Sequence, residues 1–238
     1  MSSTGWDNFW KGQRRSFYAV MRIATGYFVS QLEKLYQFKP TDTVFDYGCG
    51  PGFVADALAS KNIRITGADI NEFFIEECRK NHPASLFVLI TTDAAANKKI
   101  LKEQLQGRQF DFIILLSVAQ YLKTTNDLED IVKLLRLYIK DQGRLIIADV
   151  LDDDIFAIWD AFSLFMHCIK KGKIGTFIGF MSYLIFSNYR KLTNEISLLR
   201  VPETAISEMA KRNALQYEKV KGLTIHVSRY SYILTHRP

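Results

Sequence analysis

Between Thr43 and Val150 the apolar positions change their period at regular intervals. Five short runs, TVFDY (43–47), RITGA (64–68), SLFVLI (85–90), FDFIILL (110–116) and RLIIADV (144–150), have the length and apolar content of buried strands. Between them apolar residues recur three and four apart, the period of a helix with one buried face. One such segment runs from the first strand to about Ser60. The second, NEFFIEECRKN, starts on Asn71, a residue type that caps helices. A third, lysine-rich, spans about Ala94–Gln106. The fourth, about Asn126–Ile139, carries Leu128, Ile131, Val132, Leu134, Leu135 and Ile139 on one side, with Gly143 as its stop signal. Strand–helix alternation of this kind predicts an α/β fold with a doubly wound, mostly parallel sheet. Further on, Glu203–Asn213 reads as a helix. Leu215–His226 and Tyr230–His236 read as two strands joined by Val227-Ser228-Arg229.

Two flanking regions break the alternation. Before Pro40, Trp6, Trp10, Phe17, Tyr18, Met21, Ile23, Phe28, Leu32 and Leu35 recur at mixed helical spacing, which predicts one or two helices. Two roles stay open for them: packing on the sheet edge, or a lid formed by the segment from Trp6 to Tyr18. After Asp152-Asp153-Asp154, a stretch rich in Phe, Ile, Met and Trp runs to about residue 200, interrupted by Lys170-Lys171-Gly172-Lys173. It predicts two helices joined by a basic turn. Neither apolar run reaches the roughly 18 uncharged residues of a membrane span. A helical cap on the sheet, the wall of an apolar pocket, and an interfacial helix pair touching a membrane all fit this pattern.

Composition changes this picture little. A chain of 238 residues with 48% hydrophobic and 24% charged residues suits one globular domain with a sizeable core. The net charge of +6 permits an anionic partner, but no block of five basic residues demands one. Cys49, Cys78 and Cys168 are widely spaced and match no disulfide framework or zinc pattern, so reduced thiols are expected. MSSTGWDNFWKGQRR at the N-terminus has no apolar signal-peptide core, and a cytoplasmic protein is expected.

The candidate chemistry gathers on Asp46-Tyr47-Gly48-Cys49-Gly50-Pro51-Gly52. A strand runs into three alternate glycines and then a helix, a turn built for a ligand lying against main chain at a helix N-terminus. A dinucleotide pyrophosphate is one candidate, but Asp46 would repel it and suits a cation instead. Two further acids end the next strands. Asp69 lies a little over twenty residues after Gly48, the distance of a ribose-reading carboxylate, and Asp93 follows Thr91-Thr92.

DYGCGPG resembles motif I of class I S-adenosylmethionine methyltransferases. The resemblance covers Val44 to Val150 and, more loosely, the tail. It is nearest the broad small-molecule group that includes ubiquinone/menaquinone-type and natural-product methyltransferases. It implies a seven-stranded Rossmann-like sheet whose last strand is antiparallel and inserted beside strand five, with a helical insertion after that strand. The implied cofactor is S-adenosylmethionine, released as S-adenosylhomocysteine. Its implied contacts are Asp46, Gly48, Cys49, Gly50 and Gly52 at the turn, Asp69 at the ribose, Ile70 against the adenine, and Asp93 with the Ala94 N–H at the adenine amino edge. Ser117, in the Ser117–Leu122 loop, stands where relatives touch the methionine half. Many of those relatives have a histidine pair in this loop; here Gln120 and Tyr121 stand there.

The expected organisation is a single domain over 1–238. It comprises a helical lid (1–40), a cofactor-binding core (41–150), a helical cap (151–200), and a C-terminal helix with an antiparallel strand pair (201–238). The expected reaction moves a methyl group in line to a small, partly apolar or lipid-like acceptor, with catalysis largely by proximity. A catalytic base is needed only where the nucleophile must lose a proton, and His167, Tyr121 and Tyr18 are candidates for it. No metal pattern is present in the sequence. Alternatives are a nucleic-acid methyltransferase, disfavoured by scattered basic residues and the lack of a base-flipping motif after strand four, and a non-catalytic interaction or membrane-surface module. An NAD(P)-dependent dehydrogenase is disfavoured by Asp46 and the glycine spacing.

Overall fold

The computed structural model describes residues 15–152, 157–186 and 198–237. Trp6, Trp10, Asp153 and Asp154 lie outside them. The central sheet has seven strands in the order β3-β2-β1-β4-β5-β7-β6. These are β1 (Thr43–Tyr47), β2 (Arg64–Asp69), β3 (Leu86–Leu89), β4 (Phe110–Leu116), β5 (Ile139–Val150), β6 (Leu215–Lys221) and β7 (Tyr230–His236). The first five are parallel, and β7 inserts antiparallel between β5 and β6. This is the fold class expected.

Alternation along the strands divides the core. Phe45, Tyr47, Ile113, Leu115, Leu145 and Ile147 face one side, with buried residues of α4 (Ala94–Leu105), α5 (Thr125–Leu135) and α8 (Glu203–Arg212). Val44, Ile65, Phe112, Ile114 and Ile146 face the other, with α1 (Arg15–Tyr36), α2 (Phe53–Leu58) and α3 (Glu72–Asn81). Both faces are covered, so the strands read as unbroken apolar runs. A third cluster of Val20, Leu164, Cys168 and Ile225 joins α1, α6 (Ala157–Lys170) and the loop after β6. Phe177 and Phe180 of α7 (Ile174–Phe186) pack onto it. The α6–α7 pair thus sits over the end of the sheet where β5 finishes.

Three expected boundaries are corrected. The helix expected to reach Ile139 ends at Leu135, followed by a single tight turn over Arg136–Tyr138. Gly143 is no helix stop. It lies inside β5, where the pairing with β4 slips between Phe110 and Phe112. A Cβ there would stand 2.6 Å from the Phe110 carbonyl oxygen, so close backbone approach at a bulge requires glycine. Strand β6 stops at Lys221 rather than His226, because Gly222 turns the chain with a φ of 78°. Residues 223–229 then form a loop over the end of the sheet.

Candidate functional site

All three glycines of the turn are left-handed, with φ of 84° at Gly48, 50° at Gly50 and 82° at Gly52. The turn is pinned from both sides. Gly48 and Cys49 N–H donate to the Ala68 carbonyl at 2.7 and 3.0 Å, and Gly50 N–H donates to Asp69 Oδ2 at 2.8 Å. A Cβ on Gly48 would come within 2.4 Å of Val118 Cγ2, so the loop after β4 lies directly against the turn. Cys49 and Cys78 are buried free thiols, and a hydrogen bond with Cys78, then burial, push the Cys49 thiol up.

Asp46, at 2% exposure, is sunk beside this turn. Burial, reinforced by the charge of Asp69, pushes its carboxyl up to about 8. A carboxyl so placed gains a great deal from a cation arriving next to it. Asp69 is held rigidly: Oδ2 takes the Gly50 N–H, and Oδ1 the Asn71 N–H at 2.9 Å. A carboxylate oxygen accepts more than one hydrogen bond, which suits this side chain to ligand hydroxyls. Asp93 caps α4, its Oδ1 accepting from Ala95 N–H at 2.9 Å. Asn97 donates to the Thr91 carbonyl and to the Tyr47 hydroxyl, which fixes the β3–α4 loop against β1. Ile70 is exposed and lines a cleft of about 530 Å³ with Phe73, Leu89, Ile90, Thr91 and Ile100, at the carboxyl ends of β2 and β3.

A second polar centre lies at the ends of β4 and β5, and its acids and bases were not foreseen in the sequence. Ser117 and Asp149 both take left-handed backbone, with φ of 58° and 66°, a cost of about 1–3 kcal/mol each that surrounding bonds must offset. The Asp149 carboxylate is buried and accepts Ser117 Oγ at 2.6 Å, Arg229 Nη1 at 2.8 Å and His226 Nδ1 at 2.8 Å. Burial pushes Asp149 up, but the charge of Arg229, the neighbouring His226 and the bonds from His226 and Ser117 outweigh it, holding the carboxyl well below the usual carboxylate range. Arg229 also donates to Gln120 Oε1 at 3.1 Å and, through Nε, to Asp160 Oδ2 at 3.0 Å. Asp160 in turn accepts the Ser228 N–H and hydroxyl. The loop after β4 therefore joins the two centres: Val118 abuts Gly48, and the hydroxyl of its neighbour Ser117 meets Asp149.

The three candidate bases fall in different places. Tyr121 belongs to the tight turn Ala119–Tyr121, next to Gln120. Tyr18, on α1, stands edge-on to Phe53 and Phe74 at 6.1 and 6.5 Å, and burial, then Glu77, raise its hydroxyl. His167 stands edge-on to Tyr27 at 5.1 Å, on the face of α6 that meets α1. Burial, with Lys171 and Lys170, holds its imidazole below the usual range. Among the described residues no group of three or more His, Cys, Asp or Glu could hold a metal ion.

A doubly wound sheet with a ligand-type glycine turn and strand-end acids defines an α/β enzyme of the nucleotide-binding architecture. A family model described as a methyltransferase domain matches residues 38–197. The chain belongs to this family and is a methyltransferase. A search of curated proteins by sequence finds no match. Solved structures with the same fold include an S-adenosylmethionine-dependent methyltransferase from Clostridium acetobutylicum ATCC 824, 12% identical, with a TM-score of 0.57 over 90% of this chain and 91% of that one. Magnesium protoporphyrin IX methyltransferase from Synechocystis PCC 6803, solved with bound SAM, is 17% identical, with a TM-score of 0.58 over 98% and 90%. The same enzyme with bound SAH is 20% identical, with a TM-score of 0.58 over 98% and 93%. At these identities the likeness is one of fold.

Proposed function

We propose that the chain moves a methyl group from S-adenosylmethionine to a small, partly apolar acceptor. The observation that carries this is the burial of Asp46 beside three left-handed glycines, with Asp69 bonded into the same turn. In this reading Asp46 faces the cationic methionine half. The left-handed turn through Gly48, Cys49, Gly50 and Gly52 brings main chain against the cofactor. Asp69 accepts the ribose hydroxyls. Ile70 and its cleft receive the adenine, Asp93 and the Ala94 N–H read its amino edge, and Ser117 lies nearest the methyl group. The sulfonium supplies the electrophilic carbon. The residues bind, orient and exclude water, which places nucleophile and methyl in line. In this reading residues 41–150 are the binding core of one domain, with α1 in the lid, α6 and α7 in the cap, and α8, β6 and β7 completing it. Isothermal titration tests the donor: S-adenosylmethionine and S-adenosylhomocysteine should bind well ahead of NAD, and equal or weaker binding refutes it.

A second observation favours delivery of a lipid-like acceptor from a membrane surface. Among the described residues no helix is long and apolar enough to cross a membrane. Yet Trp159, Phe162, Met166 and Ile169 form an exposed stripe on α6, and Ile174 and Ile178 continue it on α7. Exposed Lys170, Lys171 and Lys173 stand between the two helices, while the acid of α6, Asp160, is buried against Arg229. That surface suits the interface of an anionic bilayer. Flotation with phosphatidylglycerol-containing vesicles should exceed that with phosphatidylcholine alone and be lost in a Lys170→Glu/Lys171→Glu/Lys173→Glu variant. Equal flotation of both proteins refutes it.

A further inference from the structure

The polar centre around Asp149 holds a histidine whose geometry is that of a proton acceptor. A carboxylate can only accept, so the 2.8 Å contact to Asp149 Oδ1 puts the His226 proton on Nδ1 and leaves a lone pair on Nε2. Among the described residues Nε2 has no hydrogen-bond partner, and the side chain is 22% exposed, against 4% for Asp149. The ring is also held in place. The neighbouring Ile225 side chain is buried among Val20, Leu164 and Cys168. Its carbonyl accepts the Ser163 hydroxyl, and the His226 carbonyl accepts Thr224 Oγ1.

Its position suits the reaction. Asp149 binds His226 through Oδ1 and Ser117 through Oδ2, and the residue after Ser117 packs on Gly48. The histidine is thus one carboxylate away from the loop that borders the glycine turn. We infer that His226, oriented by Asp149, is the general base that takes a proton from the methyl acceptor, which is therefore a hydroxyl, phenol or N–H compound. This rests on the S-adenosylmethionine reading above. In the step, the acceptor's oxygen or nitrogen forms its bond to the methyl carbon, and the carbon–sulfur bond breaks with its electron pair staying on sulfur. The acceptor proton passes to His226 Nε2. The imidazolium, held by Asp149, then returns that proton to water. An acceptor with no proton to lose, such as a thioether or tertiary amine, would gain nothing from this residue.

His226→Asn tests the assignment, because the asparagine amide can occupy the place of Nδ1–H and keep the bond to Asp149 while removing the base. The expected result is S-adenosylmethionine affinity within about twofold of wild type and methylation of a panel of naphthols, hydroxyquinones and primary amines reduced by roughly 10²–10⁴-fold. Added imidazole should partly restore it. A variant as fast as wild type, or a wild-type preference for thioether over hydroxyl acceptors, overturns the proposal. ¹⁵N NMR decides even if no panel member is methylated: the neutral His226 ring should carry its proton on Nδ1. A neutral ring with its proton on Nε2 overturns it. Wild-type protein that does not bind S-adenosylmethionine overturns the donor reading instead, and this assignment falls with it.

Discussion

Gly48 offers a direct measure of how tightly the loop after β4 is fitted to the glycine turn. Two separable costs attend Gly48→Ala. The backbone sits at a φ of 84°, a conformation that costs an alanine roughly 1–2 kcal/mol. The new Cβ would also lie 2.4 Å from Val118 Cγ2, well inside van der Waals contact, and over-packing of this kind costs about 1–3 kcal/mol. The sum, roughly 2–5 kcal/mol, is a large share of the about 5–15 kcal/mol that holds a domain together. Gly50 supplies the internal control. Its φ is also left-handed at 50°, but nothing lies within 4 Å of its Cβ, so Gly50→Ala should cost only the backbone term of roughly 1–2 kcal/mol. Adding Val118→Ala to Gly48→Ala removes the overlap and leaves the backbone term, so the pair should be non-additive by about 1–3 kcal/mol. Equilibrium denaturation in urea of wild type, Gly48→Ala, Gly50→Ala, Val118→Ala and the double variant, read as midpoint shifts at constant slope, measures these terms. If Gly48→Ala costs no more than Gly50→Ala, or if the double variant shows no coupling to Val118, the turn is not packed as described.

Three further outcomes follow from the same geometry. Asp69→Ala should weaken S-adenosylmethionine binding by about 1.5–3 kcal/mol, roughly 10- to 150-fold by titration calorimetry, and unchanged affinity in a folded variant refutes the ribose role. Asp46, pushed up to about 8, holds its proton at pH 7 in the free protein, and a cation beside it favours the ionised form. Donor binding at pH 7 should therefore release close to one proton, fading above about pH 9, and the affinity should rise with pH through 8. A calorimetric enthalpy at pH 7 that is the same in phosphate and Tris buffers refutes this. Gly143→Ala places a Cβ 2.6 Å from the Phe110 carbonyl, so it should lower stability by about 1–3 kcal/mol in urea denaturation, whereas a helix-stop role would give a much smaller change.

What was legible in the sequence was local. A strand buried on both faces must be apolar at each step, so β1, β2 and β4 announce themselves, and the glycine turn is a seven-residue pattern whose left-handed backbone only glycine takes freely. Gly143 misled because a glycine after an amphipathic helix reads as a stop whether it ends the helix or lets two strands approach; the difference lies in Phe110, more than thirty residues earlier. The second centre was hidden for a stronger version of the same reason. Ser117, Asp149, Asp160, His226 and Arg229 come from four separate elements, and they meet only because β7 returns antiparallel beside β5 and α6 packs on the loop preceding it. One signal pointed there. The rule that ligands gather at the carboxyl ends of strands, applied to Asp46, Asp69 and Asp93, applies equally to Asp149 at the end of β5. His167, one of the candidate bases, lies in an apolar helix and packs on Tyr27. Local pattern marks the glycine turn; the side chains gathered at the ends of β4 and β5 depend on long-range topology, because they meet where chain segments distant in sequence converge.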